Sequence, residues 1–202
     1  MKIGLFGGTF DPPHIGHTHA CSEFLAKYSV DKLYVIPTFI PPHKIRSSSV
    51  SAEERFEMCK IAFLPLSEKV EVSDVEIKRE GRSYTRDTIS HFKEKGCDTV
   101  YFLCGTDMFL TLDKWYDFTY IFDNAVIVCM RRESEEETER LILDKKAEYI
   151  SKYNAKIGFI DTAAITLSSS EIRADIDGMN DNGLISDEIY QYIKDKGLYG
   201  KE

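Results

Sequence analysis

Short apolar runs that alternate with helix-like segments are the feature that most restricts how this chain of 202 residues can fold. Two of them, residues 99–104 and 125–130, are apolar throughout, as is typical of strands buried on both faces of a parallel sheet. Further strands or short alternating runs are expected at residues 3–6, 33–36, 70–72, 75–77 and 156–160. Helices are expected at residues 15–28, 51–64, 83 or 84 to 96, 133–150, 168–176 and 186–196. This order predicts an α/β fold, with residues 1–202 forming one doubly wound, Rossmann-like domain around a mostly parallel sheet.

Helical periodicity also predicts which side chains face the core. The expected inward-facing residues are Cys21, Phe24, Leu25 and Tyr28 on the first helix and Phe56, Cys59 and Phe63 on the second. Residues 51–54 and 168–171 each have the pattern of a capping box, which indicates a helix start. Residues 37–49 are rich in proline and serine, so they are expected to form a mobile surface loop that carries Lys44 and Arg46 toward a phosphate.

The stretch from Gly7 to His17 has the features of a phosphate site. It follows the apolar run at residues 3–6 and opens onto the first helix, which is the strand, turn and helix start where nucleotide phosphates bind. Gly7 and Gly8 are expected to let the backbone, continuing through Thr9, approach an anion and adopt angles closed to other residues. Neither a P-loop nor a dinucleotide-binding fingerprint is present, because no Gly-Lys-Ser/Thr follows and the glycine spacing differs from Gly-x-Gly-x-x-Gly.

Two segments resemble the signatures of a known superfamily. Residues 8–17, Gly-Thr-Phe-Asp-Pro-Pro-His-Ile-Gly-His, resemble the T/HxGH signature of the nucleotidyltransferases. Residues 167–173, Leu-Ser-Ser-Ser-Glu-Ile-Arg, resemble the second signature, usually Ile-Ser-Ser-Thr-x-Ile-Arg, with Leu167 and Ser170 as the two departures. Between them, residues 41–44, 83–85 and 105–116 are similar to the bacterial nicotinate-mononucleotide adenylyltransferases. The resemblance implies transfer of the adenylyl group of ATP to nicotinate mononucleotide, which forms deamido-NAD and pyrophosphate in NAD biosynthesis.

The two histidines of the first signature are the expected catalytic groups. Both reactants of an adenylyl transfer are anions, so the enzyme must hold them in line and stabilise charge, and no protein nucleophile is required. His14 and His17 lie three residues apart and are therefore assigned to hydrogen bonding the phosphates and the transition state, a role that the resemblance also implies. The backbone from Gly7 to Phe10 is expected to contact ATP. The alternative for His17 is local capping or packing, and Asp11 is a candidate to shape the turn through its own backbone.

Arg173 is the expected partner of the phosphates that leave. It lies one turn inside a helix whose N-terminus can hold phosphate oxygens, so it is assigned to the β- and γ-phosphates, with Ser169 and Ser170 as further donors. The alternative is a surface arginine that pairs with Glu171 or Asp177. Lys44 is a candidate to contact a phosphate of either substrate, with a solvated loop lysine as the alternative.

The cofactor expected is Mg²⁺, carried by the triphosphate and needing few protein ligands. A zinc site at His14, His17 and His19 is disfavoured, because on a helix His19 points about 200° of rotation away from His17. Gly105 and Asp107 directly follow a buried strand and are therefore expected at its carboxyl end, where ligands bind in open α/β sheets. The resemblance implies that Asp107 holds the ribose or adenine side of the nucleotide; a local turn bond is the alternative.

The acceptor site is implied by the resemblance. It places the nicotinate ring on Trp115, the one tryptophan of the chain, and the nicotinate carboxylate against the backbone near Thr85 and Tyr116. Donor amides facing a carboxylate would disfavour the nicotinamide form, whose NH₂ cannot accept their bonds. The alternative for Trp115 is a core position, since it lies among Leu112, Tyr116 and Phe118.

Composition excludes some classes of partner. A net charge of −8 argues against a broad nucleic-acid surface, which needs many clustered cations. The sequence contains neither a secretory signal pattern nor a run of roughly 20 apolar residues, so a cytoplasmic protein is expected. The cysteines, Cys21, Cys59, Cys97, Cys104 and Cys129, are scattered in apolar surroundings and are expected to be reduced core residues. The sequence does not decide between a monomer and a homo-oligomer.

Two rival functions remain open at this stage. Pantetheine-phosphate adenylyltransferase has a similar opening motif, but it lacks the Pro-Pro-His-Lys loop and the block from Gly-Thr-Asp to Trp. A regulatory module that binds ATP without turnover is the rival from another class, and the retention of both histidines and Arg173 opposes it only mildly.

Overall fold

The computed structural model describes residues 1–42, 50–132, 136–162 and 168–200. The strands of its sheet are β1 (Lys2–Gly8), β2 (Lys32–Pro37), β3 (Val70–Val72), β4 (Thr99–Gly105), β5 (Val126–Arg132) and β6 (Lys156–Thr162). The helices are α1 (Ile15–Lys27), α2 (Ala52–Phe63), α3 (Val75–Arg79), α4 (Thr85–Glu94), α5 (Thr106–Leu110), α6 (Phe118–Asn124), α7 (Glu136–Tyr153), α8 (Ser169–Ala174), α9 (Ile176–Asp181) and α10 (Asp187–Lys196). Single 3₁₀ turns occur at Leu64–Leu66 and Leu112–Lys114.

The strands form one six-stranded sheet with the order β3-β2-β1-β4-β5-β6. Every strand pair in it is parallel, and Leu5 of β1 lies opposite Tyr34 of β2 on one side and Phe102 of β4 on the other. The prediction of a doubly wound α/β domain with a mostly parallel sheet is therefore confirmed. The strand order reverses between β1 and β4, and in such sheets ligands bind in the crevice outside the carboxyl ends of the strands at this point.

Helices cover both faces of the sheet and build a core on each. On one face, Leu5 and Phe102 pack with Ile89 and Phe92 of α4 and with Tyr149 of α7. The core residues of the other face include Phe6, Leu33 and Leu103 of the sheet, Cys21 and Phe24 of α1, and Cys59 and Phe63 of α2. The five cysteines are all buried, none is in a disulfide, and the prediction of core cysteines is confirmed.

A third apolar cluster joins the C-terminal helices to α2. Met58 of α2 packs with Ile172 of α8 and with Ile189 and Ile193 of α10. Because α2 also packs on the sheet, this cluster fixes α8 relative to the carboxyl edge of β1. No helix in the described ranges is both long and apolar enough to cross a membrane.

Three details of the sequence-based prediction are wrong. Residues 75–77 belong to the helix α3 and not to a strand, because the Thr88 hydroxyl donates to Glu76 at 2.6 Å and draws this carboxylate into the protein. On α2, Arg55 is buried where Phe56, only partly buried, was expected to face the core. The helix expected to reach residue 176 ends at Ala174, because the Asp175 side chain accepts a bond from Gly178 N–H and so caps α9.

Other predicted boundaries are close to those observed. The helix expected at 133–150 is α7, Glu136–Tyr153, and residues 133–135 lie outside the described part. The helix expected to end at Gly96 ends at Glu94, with Lys95 as its C-cap and Gly96 following at a φ of 83°. Of the predicted loop at 37–49, residue 37 ends β2 and residues 43–49, which include Lys44 and Arg46, lie outside the described part.

Candidate active site

A cavity of about 740 Å³ opens at the carboxyl ends of β1 and β4, the point where the strand order reverses. Ligand sites typically enclose roughly 300–1,000 Å³, so this volume suits a nucleotide-sized ligand. The predicted site residues that line it are Gly7, Gly8, Thr9, Phe10, His17, Thr85, Gly105, Asp107, Trp115, Tyr116 and Ser169. His14, Ser170 and Arg173 are not among the lining residues, although each belongs to a segment that reaches the cavity. The candidate Lys44 lies outside the described residues.

Gly7 and Gly8 matter because they lack a side chain, and not because they adopt unusual backbone angles. Gly7 and Gly8 are the last residues of β1, and neither has a positive φ, so the expected need for angles closed to other residues is wrong. A Cβ on Gly8 would come within 2.8 Å of the Phe10 ring, whereas a Cβ on Gly7 would meet no atom within 4 Å. Gly8 is therefore required by packing, while Gly7 leaves the cavity wall open to a close ligand. Phe10 itself adopts a φ of 48°.

The two histidines form the N-terminal cap of α1. His14 is the capping residue, and its Nδ1 accepts a bond from Gly16 N–H at 3.2 Å. His17 returns the contact, since its Nδ1 accepts from His14 N–H at 3.3 Å, and the two ring centroids are 3.7 Å apart. A neutral imidazole with Nδ1 as acceptor carries its hydrogen on Nε2. The local capping that was the alternative for His17 is therefore observed. It orients the ring so that Nε2 is a donor.

The second signature segment docks directly on the first. Ser169 Oγ donates to Pro12 O at 3.0 Å, and Arg173 Nη1 donates to Asp11 O at 2.6 Å. A second nitrogen of the same guanidinium, Nη2, donates to Ser170 Oγ at 3.1 Å. The predicted convergence of the two signatures at one edge of the sheet is therefore observed. The surface alternatives for Arg173 are wrong, because Glu171 caps α8 at Ser168 and Asp177 pairs with Lys194.

Comparison with known proteins gives the family. Residues 5–175 match the model of the cytidylyltransferase-like family. The chain is 36% identical over 201 residues, 98% of its length and 99% of the relative, to a probable nicotinate-nucleotide adenylyltransferase of Clostridium botulinum strain Hall. The chain belongs to the cytidylyltransferase-like family and, within it, to the nicotinate-nucleotide adenylyltransferases.

Two further comparisons concern the family and the fold, respectively. A probable nicotinate-nucleotide adenylyltransferase of Clostridium novyi is 39% identical over 173 residues, 85% of each chain. The solved nicotinic acid mononucleotide adenylyltransferase of Plasmodium falciparum, complexed with NaAD, superposes with a TM-score of 0.72, covering 98% of this chain and 97% of its own. At 19% identity, this structural similarity bears on the fold alone.

Part of the cavity wall in this member of the adenylyltransferase family is aromatic. Trp115 is partly buried and meets Phe102 of β4 edge to face, with ring centroids 6.1 Å apart, so it is both a core neighbour and a wall residue. Tyr116 is 58% exposed, and its ring packs on Tyr84 at 4.7 Å. Thr85 is the first residue of α4, where backbone N–H groups have no partner within the helix. A planar ring and a carboxylate would each find a suitable surface here.

Asp107 lies in the first turn of α5, directly after β4. Its side chain is exposed, lines the cavity, and makes no hydrogen bond or ion pair with the described residues. The local turn bond expected as the alternative is therefore not observed.

Sequence reasoning missed another cavity residue, Lys114, which the 3₁₀ turn at Leu112–Lys114 brings to the wall.

Arg55 is the most consequential residue that sequence reasoning missed. It is 1% exposed, and its guanidinium donates to Thr9 O and to Thr38 O, each at 2.6 Å. These carbonyls belong to the two loops that follow β1 and β2, so one side chain of α2 fixes the cavity's backbone from behind. Helical periodicity cannot identify such a residue, because a charged side chain on a helix is ordinarily exposed.

Asp11 is a second buried residue that connects distant segments of the chain. It is 6% exposed, its Oδ2 lies 3.7 Å from Arg173 Nη1, and its Oδ1 accepts a bond from the Tyr199 hydroxyl at 2.7 Å. Burial and the neighbouring Asp11 raise the pKa of Tyr199, so the phenol keeps its proton and acts as donor. The sequence indicated a turn-shaping role for Asp11, but the partner 188 positions away could not be inferred from it.

Glu76 is a buried carboxylate of the cavity wall. It is 5% exposed and accepts a bond from the Thr88 hydroxyl of α4 at 2.6 Å. Burial raises the pKa of Glu76, and hydrogen bonds from Thr88 and Ser83 oppose that rise. Because Ser83 also accepts from Phe39 N–H at 2.8 Å, Glu76 connects the start of α4, where Thr85 lies, to the loop after β2.

We expect Arg55→Met to lower the free energy of unfolding by about 2–4 kcal/mol, because two charged hydrogen bonds are lost and two partly buried carbonyls lose their partner. Urea denaturation followed by circular dichroism measures this change. Arg86→Met is the matched control, since Arg86 forms a partly exposed pair with Asp117 at 3.1 Å, and such pairs contribute about 0–1 kcal/mol. Equal losses in the two variants would contradict the structural role of Arg55.

Proposed function

We propose that this chain transfers the adenylyl group of ATP to nicotinate mononucleotide, forming deamido-NAD and pyrophosphate. The observation that carries the proposal is the docking of the two signature segments, through Ser169 with Pro12 at 3.0 Å and Arg173 with Asp11 at 2.6 Å, beside one cavity. The aromatic side chains and the start of α4 that line the same cavity support a pyridine carboxylate as acceptor. The names of the Clostridium relatives agree with this activity.

The reaction is a single in-line displacement. An oxygen of the acceptor phosphate forms a bond to the α-phosphorus of ATP while the bond from that phosphorus to the bridging oxygen breaks, and pyrophosphate leaves with the electron pair. No covalent intermediate with the protein is required. The capping bonds at Nδ1 leave Nε2 of both His14 and His17 as donors, and both histidines are proposed to hydrogen bond the phosphates and the transition state. His14 is 4% exposed, and its ring centroid lies 3.7 Å from that of His17.

Arg173, Ser169 and Ser170 act on the leaving side. The bonds of Arg173 to Asp11 O and Ser170 Oγ fix the plane of its guanidinium next to the start of α8. A guanidinium in a fixed plane stabilises phosphate charge better than a mobile cation, because its orientation needs no ordering on binding. Lys44 is proposed as a further phosphate contact.

Mg²⁺ is proposed to enter with the triphosphate, where it would neutralise charge on the phosphate oxygens. The described residues contain no group of three or more His, Cys, Asp or Glu side chains placed to hold a metal. The chemistry of the donors on the wall fits a metal that takes most ligands from ATP and water, with the exposed Asp107 as the carboxylate that the protein can offer it or the ribose.

The acceptor is proposed to stack its ring on Trp115, with its carboxylate against backbone N–H groups near Thr85 and Tyr116. Donor amides of this kind favour a carboxylate over a carboxamide, because the NH₂ of an amide would face another donor. The carboxylate form is therefore the preferred substrate.

Pyrophosphate release tests the proposal against its rivals. The enzyme is mixed with ATP, Mg²⁺ and either nicotinate mononucleotide, nicotinamide mononucleotide or phosphopantetheine. Release with nicotinate mononucleotide, and much less with the other two, supports the proposal. Release with phosphopantetheine alone would favour pantetheine-phosphate adenylyltransferase, and ATP binding without release from any acceptor would favour a regulatory module.

We expect Trp115→Ala to raise the KM for nicotinate mononucleotide by roughly 10-fold to 100-fold, since stacking of a base on an aromatic side chain contributes about 1–3 kcal/mol. The KM for ATP should change little, because Trp115 is assigned to the acceptor ring and not to the phosphates. Thermal unfolding of the variant provides the control. An unchanged acceptor KM together with a large loss of stability would mean that Trp115 serves the core.

A further inference from the structure

The strongest unassigned feature lies behind Trp115, on the helix α7. This helix carries many charged residues, and the function proposed above makes no use of it. Yet Tyr149 of α7 is fully buried, and its ring packs between Phe109 at 5.5 Å and Phe122 at 4.9 Å. Its hydroxyl reaches the segment that carries Trp115.

That hydroxyl makes three polar contacts within residues 109–113, two with backbone groups and one with a side chain. It lies 3.0 Å from Phe109 O and 3.1 Å from Asp113 Oδ1, both acceptors, and it accepts from Asp113 N–H at 3.4 Å. Phe109 is near the end of α5, where helix carbonyls lack partners within the helix. The Tyr149 hydroxyl, whose single hydrogen the two acceptors share, therefore connects α7 to the end of α5 and to the turn before Trp115.

Lys145 completes the arrangement one turn earlier on α7. Its Nζ lies 2.9 Å from Asp113 Oδ2, and the two side chains are only 26% and 18% exposed. Burial alone would raise the pKa of Asp113, but hydrogen bonds from Lys145 and Tyr149 outweigh it and lower that pKa. Asp113 is thus held ionised at both oxygens by one helix. We call Tyr149, Lys145 and Asp113 the α7 brace.

The braced turn ends at Trp115. Asp113 lies within the 3₁₀ turn Leu112–Lys114, and Trp115 N–H donates to Leu112 O at 3.1 Å to close it. Leu112 is buried in the core, whereas Lys114 and Trp115 line the cavity. Because Trp115 directly follows this turn, a displacement of the turn would also move Trp115 relative to the cavity.

We propose that the α7 brace positions Trp115 for the acceptor ring, so that Tyr149 and Asp113 determine acceptor binding without touching the substrate. The inference rests on the proposed function, because it takes Trp115 as the acceptor's platform. The position of Trp115, however, can be measured independently of turnover, since Trp115 is the one tryptophan in the sequence and the source of its tryptophan fluorescence.

Tyr149→Phe removes the hydroxyl and keeps the ring. We expect the variant to show increased quenching of Trp115 fluorescence by acrylamide, and an acceptor KM that rises by roughly 5-fold to 20-fold, since small misplacements of a positioning group can cost up to about 10²-fold. The KM for ATP should stay within about twofold of the parent value, because the brace contacts none of the residues assigned to the phosphates.

Tyr153→Phe is the matched control. Tyr153 lies one turn further along α7, and its ring packs on Phe118 at 5.2 Å and Phe122 at 5.5 Å rather than on the turn before Trp115. This variant should keep the quenching constant and acceptor KM of the parent. Asp113→Asn provides a second test, which applies even if Tyr149→Phe fails to fold, because it breaks the pair with Lys145 while preserving the shape of the side chain.

Each result has a defined meaning. Parent-like quenching in both Tyr149→Phe and Asp113→Asn would overturn the brace, as would equal increases in Tyr149→Phe and Tyr153→Phe. Increased quenching with an unchanged acceptor KM would overturn the link to the acceptor while leaving the brace as a structural contact. If the parent protein releases no pyrophosphate with nicotinate mononucleotide, the proposed function fails, and quenching still tests whether α7 holds Trp115.

Discussion

Replacing His17 by alanine is expected to lower kcat by about 10²–10³-fold, the effect of removing one preorganised donor from a developing oxyanion. The physical reason is the fixed geometry of the ring, whose Nδ1 accepts from His14 N–H at 3.3 Å and whose Nε2 is thereby left as the donor. Loss of this capping bond should cost only about 1 kcal/mol of folding free energy. Pyrophosphate release gives the rate, and urea denaturation confirms that the variant is folded.

His19→Ala is the control for this experiment. His19 lies on the same helix but does not line the cavity, so its replacement should leave kcat close to that of the parent. Equal rates for His17→Ala and the parent would remove His17 from the catalytic machinery. A loss of activity that simply followed a large loss of stability would favour the capping role alone.

The second large effect is expected for Arg173→Ala, with a fall in kcat/KM for ATP of about 10³-fold, by analogy with arginines that stabilise transferring phosphates. Arg173 is anchored by Asp11 O at 2.6 Å and Ser170 Oγ at 3.1 Å. Arg173→Lys should recover only part of the loss, because a lysine keeps the charge but cannot reproduce the planar fork that makes both contacts.

Arg140→Ala serves as the control, since Arg140 is an exposed residue of α7. Steady-state assays with ATP varied at saturating acceptor measure kcat/KM for the three variants. If Arg173→Lys were as active as the parent, the geometry of the guanidinium would be irrelevant to the reaction. If Arg173→Ala retained most of its activity, the leaving phosphates would have to be neutralised elsewhere.

Much of the fold followed from local patterns. Buried strands such as β4 and β5 are apolar on both faces, and helix ends carry signals such as the glycine at 96, so these elements were predicted within a few residues. The error at residues 75–77 has a physical cause. A run of three alternating residues does not distinguish strand from helix, and the decisive contact, Thr88 with Glu76, comes from a helix formed later in the chain.

The candidate site was predictable in part for the same reason. Motif residues such as His17 and Ser169 lie where the strand, turn and helix pattern indicated, because the carboxyl ends of parallel strands share one edge. The residues that hold the motifs, Arg55 and Tyr199, were not predictable. Each acts through contacts with backbone or side chains that are distant in sequence, and no local period or spacing encodes such a partner.

The turn at Asp11 and Pro12 is secured by groups that follow it by 157, 162 and 188 positions: the Ser169 hydroxyl, the Arg173 guanidinium and the Tyr199 phenol. Contacts of such long sequence separation form late, since the intervening chain must first lose its freedom. A molecule that has regained its helices and strands during refolding would therefore still be catalytically inactive. Enzymatic activity should be the last property to recover. Its delay relative to the circular dichroism signal would measure how long these three contacts take to form.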